Sequence, residues 1–189
     1  MKKATETLFL IAGVLIFFAS YMYDVQVKLS FKDLNFPILD APLSIITNFS
    51  VVIVIFLVIP SMICYKNNRK SVYLLWTTFA VSIVLAFLIK LIVLRQRPIE
   101  AFTYPFINII NYSFPSMHSM VVFALLPLLA RYIPRHKFFW IIFAFLVAFS
   151  RIYFSLHFLS DVVFGSLAGF AVGVYILKLH EKGKLWKLK

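Results

Sequence analysis

Charge is scarce in this chain of 189 residues: Asp, Glu, Lys and Arg together make up 14%, against about a quarter in a typical soluble domain. There is too little polar surface here to cover a globule in water. Cysteine occurs once, as Cys64, which excludes an intrachain disulfide framework and a cysteine-built zinc site. Acids are the scarcest charge, seven against nineteen Lys and Arg, and Asp24, Asp33, Asp40 and Glu100 are scattered through connections. A hard cation needs several oxygen ligands at one place, so no catalytic metal and no cofactor is expected. Internal repeats and low-complexity tracts are also absent from the sequence.

What the chain has is hydrophobic length. Apolar residues reach 62% and the mean hydropathy is +0.94. They fall into six runs near the ~20 residues a helix needs to span a bilayer: Leu8–Tyr23, Leu43–Tyr65, Ser71–Leu94, Ser116–Ile133, Phe138–Leu156 and Asp161–Leu179. The expectation is an all-α polytopic membrane protein with six transmembrane helices and a single integral domain over residues 1–189. Met1–Lys3 before an apolar run resembles a signal peptide, but Tyr21, Met22, Tyr23 and Asp24 follow rather than a small-residue cleavage site, so the first helix is expected to be retained. Two connections are long, Asp24–Pro42 and Arg95–Pro115; three are tight.

The net charge of +12 would point to nucleic acid in a soluble protein, but here position matters more than sum. With the N-terminus inside, thirteen of the nineteen cations lie on the cytoplasmic side, from Lys2, Lys66, Arg69, Arg131 and Arg135 to Lys189. Lys28, Lys32, Lys90, Arg95, Arg97 and Arg151 lie on the other side, with five of the seven acids. By the positive-inside rule both termini are cytoplasmic, anionic lipid headgroups are the partners of the inner face, and no nucleic-acid partner is expected. The oligomeric state is open.

Ionisable groups that interrupt apolar sequence are expensive near hydrocarbon and mark candidate sites. Lys90 and Arg97 end the third run, Ser116 and His118 begin the fourth, Arg151 lies near the end of the fifth, and His157 and Asp161 flank the start of the sixth. Helix parity puts all of them on the extracytoplasmic face. Lys90, Arg97 and Arg151 form a cation set suited to a phosphate. The start of the fourth helix adds unpaired N–H groups, and Ser116 is placed to cap it or to donate to a phosphate oxygen. His157 and Asp161 are four apart, so the carboxylate can orient one ring nitrogen and leave the other as nucleophile. His118, from a different helix, is free to protonate a leaving oxygen. Arg95 reads as a rim charge.

These residues carry a resemblance. Lys90-Leu-Ile-Val-Leu-Arg-Gln-Arg97-Pro98, then Pro115-Ser116-Met117-His118, then Ser150-Arg151 with His157 and Asp161, resemble the three-part signature of the type-2 phosphatidic acid phosphatase superfamily. The resemblance implies a six-helix membrane enzyme in which Lys90, Arg97 and Arg151 hold the phosphate, His157 forms a phosphohistidine, Asp161 supports it and His118 protonates the leaving group. It implies a lipid phosphate or pyrophosphate as substrate: lipid A 1-phosphate, phosphatidylglycerophosphate and undecaprenyl pyrophosphate stay open. A bacterial inner membrane with the site on the periplasmic or extracellular side is the expected location. The family usually has glycine where this chain has Met117, which is read as an ordinary helical position.

Rival classes predict different patterns. A small transporter or non-enzymatic anion-binding membrane protein would continue its polar residues to the inner face, whereas the inner halves of the third to fifth helices are nearly uniformly apolar. A vanadate-dependent haloperoxidase sharing the pocket is disfavoured by the spanning runs. Gly165, Gly169 and Gly173 recur every four residues, a signature of close helix packing. Tyr21, Tyr23, Trp76 and Trp140 fit interface anchors. Lys28–Asp40 reads either as an interfacial access segment or as a plain connector.

Overall fold

Apolar runs of this length fold as helices because, away from water, only a helix satisfies the backbone within one segment. The computed structural model of the chain describes residues 3–32, 36–66, 68–98 and 111–185, and every regular element among them is helical. In chain order these are α1 (Lys3–Met22), α2 (Asp24–Lys32), α3 (Pro37–Thr47), α4 (Phe49–Ile53), a π-helical stretch Val54–Val58 leading into α5 (Ile59–Tyr65), α6 (Arg69–Val93), α7 (Met117–Tyr132), α8 (Lys137–Tyr153) and α9 (Leu159–Glu181). The readings that concern Lys2, Asp33, Glu100, Lys187, Lys189 and residues 99–110 lie outside the described residues.

Among the described residues, three stretches are long and apolar enough to cross a membrane unaided: α6, Pro134–Tyr153 and α9. Two bent pairs, Thr7–Met22 with Asp24–Phe31 at 55° and Ile38–Thr47 with Phe49–Tyr65 at 63°, raise the number to five if each is one span. With 16 residues, α7 is about 24 Å long at 1.5 Å per residue, less than the ~30 Å hydrocarbon core. It is the inner helix of the bundle, for every residue from Ser119 to Leu129 except Pro127 is buried. Outward-facing Leu8, Leu10, Phe18, Met62, Ile142, Phe145 and Tyr175 are exposed, an apolar belt too broad for contact with water. The chain is an integral membrane protein.

The glycine spacing in α9 has its expected use. A Cβ on Gly165 would lie 2.7 Å from the Ser116 carbonyl oxygen, one on Gly169 2.1 Å from that of Met120, and one on Gly173 2.0 Å from that of Ala124. No side chain fits at those three places, so α9 lies directly on the backbone of α7. Packed around this pair are Phe56 and Leu57 from the π-helical stretch, Leu74 and Leu75 of α6, and Trp140 of α8. Trp140 corrects an expectation: it is a core residue, with its ring 5.9 Å from that of Phe56. Tyr21, Tyr23 and Trp76 are exposed, as interface anchors are.

Two expected helices end differently. The single helix over Leu43–Tyr65 is broken at Asn48, whose backbone is extended and whose Oδ1 accepts from the Ser50 N–H at 2.9 Å. An Asn N-cap inside an apolar run starts a new helix in a new direction. The helix expected to reach Leu156 stops at Tyr153, and Ser155 follows with φ of 51°. Leu94, which ends α6, is the other non-glycine residue with positive φ among those described, also at 51°. Such conformations cost about 1–3 kcal/mol and cluster where a site demands them; these two lie directly before Arg95 and two residues before His157.

Candidate active site

Each candidate side chain is delivered by a helix end. Lys90 sits in the last turn of α6, buried, and its Nζ donates to the Tyr112 carbonyl. Arg97 lies just past the left-handed turn at Leu94, and its Nε donates to the Asn111 carbonyl at 3.0 Å. Arg151, near the end of α8, donates from one guanidinium nitrogen to the carbonyl and hydroxyl oxygens of Thr47 at the end of α3. His118 occupies the first turn of α7 with its ring edge against Phe49, the centroids 4.9 Å apart. His157 lies in the connection between α8 and α9, only 4% exposed.

Five of the seven residues singled out from sequence, Lys90, Arg97, His118, Arg151 and His157, line one cavity of about 570 Å³. Its other walls are Thr47 to Ser50, then Ile83, Phe87, Met117 and Leu156, so one part is cationic and the rest largely apolar. The remaining two stand behind it. Asp161 is fully buried at the third position of α9, where its Oδ2 accepts from the Phe158 N–H at 2.8 Å and lies 3.7 Å from His157 Nδ1. Ser116 is likewise fully buried, does not line the cavity and makes no side-chain cap; its hydroxyl accepts from Ser119 at 3.0 Å. The side-chain cap expected of Ser116 is not what the structure places there. Met117 does line the cavity, and it does so from an ordinary helical position.

Two important residues were not recognised in the sequence. Arg95, read as a rim charge, is tied on both sides: one guanidinium nitrogen donates to Asp161 Oδ1 at 2.8 Å and the other to Asp24 Oδ2 at 2.8 Å. Asp24 is itself buried and accepts from the Ser160 N–H at 2.8 Å and the Ser160 hydroxyl at 2.6 Å. No periodicity foretells a pairing across 71 residues; the one available signal was an acid following directly on an apolar run.

Formal charge now has a direction. Three cations line the cavity, and behind it Asp24 and Asp161 outnumber Arg95 by one, which leaves two net positive charges for an anion to neutralise. A phosphate dianion is the matching guest. Burial, and then the neighbouring Arg151, Lys90 and Arg97, push the His157 imidazole well below its ordinary pKa, so the neutral and nucleophilic form prevails at neutral pH. The Nδ1 of His157 and the Nε2 of His118 are buried without a hydrogen-bond partner. Buried polar atoms are rarely left so unless a guest or a catalytic role accounts for them. Among the described residues no group of three or more His, Cys, Asp or Glu is assembled.

Comparison with known proteins gives concordant results. A family model, the PAP2 superfamily, matches residues 70–184. An undecaprenyl-diphosphatase of Sulfolobus acidocaldarius is 28% identical over 134 residues, covering 68% of this chain and 64% of that protein, so the match spans a little under two thirds of the relative's length. In fold, the chain is similar to the crystal structure of a transmembrane PAP2-type phosphatidylglycerolphosphate phosphatase from Bacillus subtilis, with a TM-score of 0.72, 23% identity and full coverage of both chains. Aquifex aeolicus LpxE superimposes with a TM-score of 0.66 and 23% identity, over 82% of this chain and 94% of the other.

Proposed function

Because this chain belongs to the PAP2 superfamily, we propose that it is a metal-independent membrane lipid phosphatase working through a phosphohistidine. What supports this most is the convergence of Lys90, Arg97, His118, Arg151 and His157, from three separate stretches of sequence, on a single cavity. Lys90, Arg97 and Arg151 bind the phosphate oxygens and spread their charge. The unprotonated nitrogen of His157 attacks phosphorus, the bond to the lipid oxygen breaks, and His118, which takes up a proton beside the bound phosphate, gives that proton to the leaving oxygen. Neutral His118 then takes a proton from water as the water attacks the phosphohistidine, releasing inorganic phosphate and restoring both imidazoles. Positioned cations lower the cost of charge shifting between attacking and leaving atoms, which is the main protein contribution to phosphoryl transfer.

The substrate is an amphiphile. Phe49, Ile83, Phe87 and Leu156 extend the cationic pocket with an apolar surface suited to the first part of a lipid chain, and the belt around the bundle keeps the site at the membrane. Residues 1–189 act as one domain with six spans, α7 being the sixth, and both termini are cytoplasmic. The cavity then faces the periplasm or exterior of a bacterial inner membrane. Candidate substrates are lipid A 1-phosphate, phosphatidylglycerophosphate and undecaprenyl pyrophosphate.

The test is phosphate release by the purified protein from each of these three lipids. Turnover is expected with at least one, unaffected by excess chelator and inhibited by vanadate, which mimics five-coordinate phosphorus. Activity lost on chelation and restored by magnesium overturns the metal-free mechanism, and no release from any of the three overturns the phosphatase reading. Sidedness is read separately, because Cys64 is buried and reports on neither face. In a Cys64→Ser background, an impermeant thiol reagent outside intact cells is expected to label Gln26→Cys and to miss Lys182→Cys.

A further inference from the structure

We propose that Asp24 and Arg95 are positioning residues that hold the Asp161 carboxylate in place behind His157. This rests on the reading of His157 as nucleophile and extends it to two residues that touch neither the cavity nor the phosphate. Asp161 has two oxygens. Oδ2 faces the His157 ring at 3.7 Å and accepts from the Phe158 N–H, and Oδ1 is taken by Arg95. Rotation of the carboxylate about its last torsion breaks both of the hydrogen bonds at once, so the oxygen nearest His157 is fixed by Arg95 on Oδ1 together with the Phe158 N–H on Oδ2.

Arg95 is in turn fixed from several directions. Its guanidinium is stretched between Asp161 and Asp24, donates also to the Ser160 hydroxyl at 2.8 Å, and stacks over the Phe158 ring 4.0 Å from the centroid. A planar fork with donors on two nitrogens can reach both carboxylates at once; an ammonium is a point donor and cannot match this geometry. Asp24 closes the circuit. It begins α2 and accepts from the Ser160 N–H in the first turn of α9, one of the N-terminal donors that have no partner inside a helix. The bend between α1 and α2 is thereby joined to the segment that carries His157 and Asp161. Removing one partner of such a buried set leaves an uncompensated charge, which ties the positions of the remaining groups to one another.

The test uses the full-length protein in detergent with lipid A 1-phosphate, phosphatidylglycerophosphate and undecaprenyl pyrophosphate as substrates, and it has two readouts. Asp24→Asn and Arg95→Gln are each expected to lower kcat about 10- to 100-fold, the range for partners that orient a reacting group, with KM within about twofold. Residues acting through Asp161 lose their effect once Asp161 is gone, so neither change should add to the loss in Asp161→Asn. Arg95→Lys should fall between wild type and Arg95→Gln. The second readout needs no turnover: ring 15N shifts of His157 are expected to show one dominant neutral tautomer in wild type and a mixture in both variants. Losses that multiply with that of Asp161→Asn, or a tautomer unmoved in folded Asp24→Asn and Arg95→Lys protein, overturn the proposal. A wild-type protein without phosphate release whose tautomer still moves in the variants overturns the phosphatase reading and sustains the positioning role.

Discussion

At one end of the bundle Arg131 meets Glu181 at 3.4 Å, both side chains more than half exposed; at the other Arg95 meets Asp24 and Asp161 at 2.8 Å, the two carboxylates almost wholly buried. The first pair is free to exchange partners with water and lipid headgroups, and such pairs contribute little. The second cannot move without leaving a charge unpaired in a medium that penalises it heavily. The basic excess at the α9 C-terminal end is, on the proposed topology, a matter of which side of the membrane each loop occupies. Near the α9 N-terminus, Asp24, Arg95 and Asp161 are paired with one another, and Lys90, Arg97 and Arg151 face the cavity. Like residue types are therefore exposed and loosely paired at one end, buried and tightly paired at the other.

The largest expected effect lies within the cavity end. His157→Ala should abolish turnover on every substrate and leave no phosphoenzyme after acid-free quenching, because the other imidazole in the cavity, His118, is committed in the proposed reaction to the leaving oxygen. His118→Ala should cost about 10²–10⁴-fold in kcat on an alkyl phosphate, the usual value of general-acid help, and much less on an aryl phosphate whose leaving group needs little protonation. Equal losses for both variants on both substrates would merge the two roles. The pH profile sharpens the same point: a depressed His157 pKa means that its proton leaves at lower pH, so the acid limb of kcat/KM should lie below about 6.5.

Next in size is the contact that joins the two ends. Gly169→Ala places a methyl group 2.1 Å from a backbone oxygen of α7, which cannot swing aside as a side chain would. Thermal unfolding in detergent should show a loss at or above the ~1–3 kcal/mol typical of overpacking, with a fall in kcat as His118 shifts. Gly13→Ala is the control. Its Cβ would meet only Leu167 at 3.6 Å, and replacing a helical glycine by alanine should stabilise by about 0.5–1 kcal/mol. Smallest of all is Arg131→Ala at the exposed end, expected to change stability by less than about 0.5 kcal/mol and kcat not at all. A large effect there would dissolve the distinction between the two ends.

The helical runs from α6 to α9 were legible because span length, glycine spacing and interrupting charges are all local patterns. So were the five residues that line the cavity, since helix parity alone put them on one face. The break at Asn48 was not, because an N-cap within a run of Leu, Ile and Val barely changes hydropathy. Nor was the burial of Ser116 as a partner of Ser119 rather than a helix cap, which depends on where Ser119 points. Asp24 and Arg95 were hidden for a different reason. Their meeting requires α6 to end in a left-handed turn at Leu94 and α1 to bend into α2, and neither event has a dedicated residue such as glycine or proline.

The three glycines of α9 have a mechanical consequence. Four residues of helix rise about 6 Å, so the carbonyls of Ser116, Met120 and Ala124 sit against α9 like a rack in evenly cut notches. A rack does not slide by half a tooth: any small axial slip of α7 would drive three oxygens into the Cα backbone of α9 together. His118 rides on the first tooth of one bar and Asp161 on the segment just ahead of the other's. The spacing between His118 and Asp161 is thus machined into main-chain contacts, with a tolerance set by atomic radii and independent of whichever lipid lies outside.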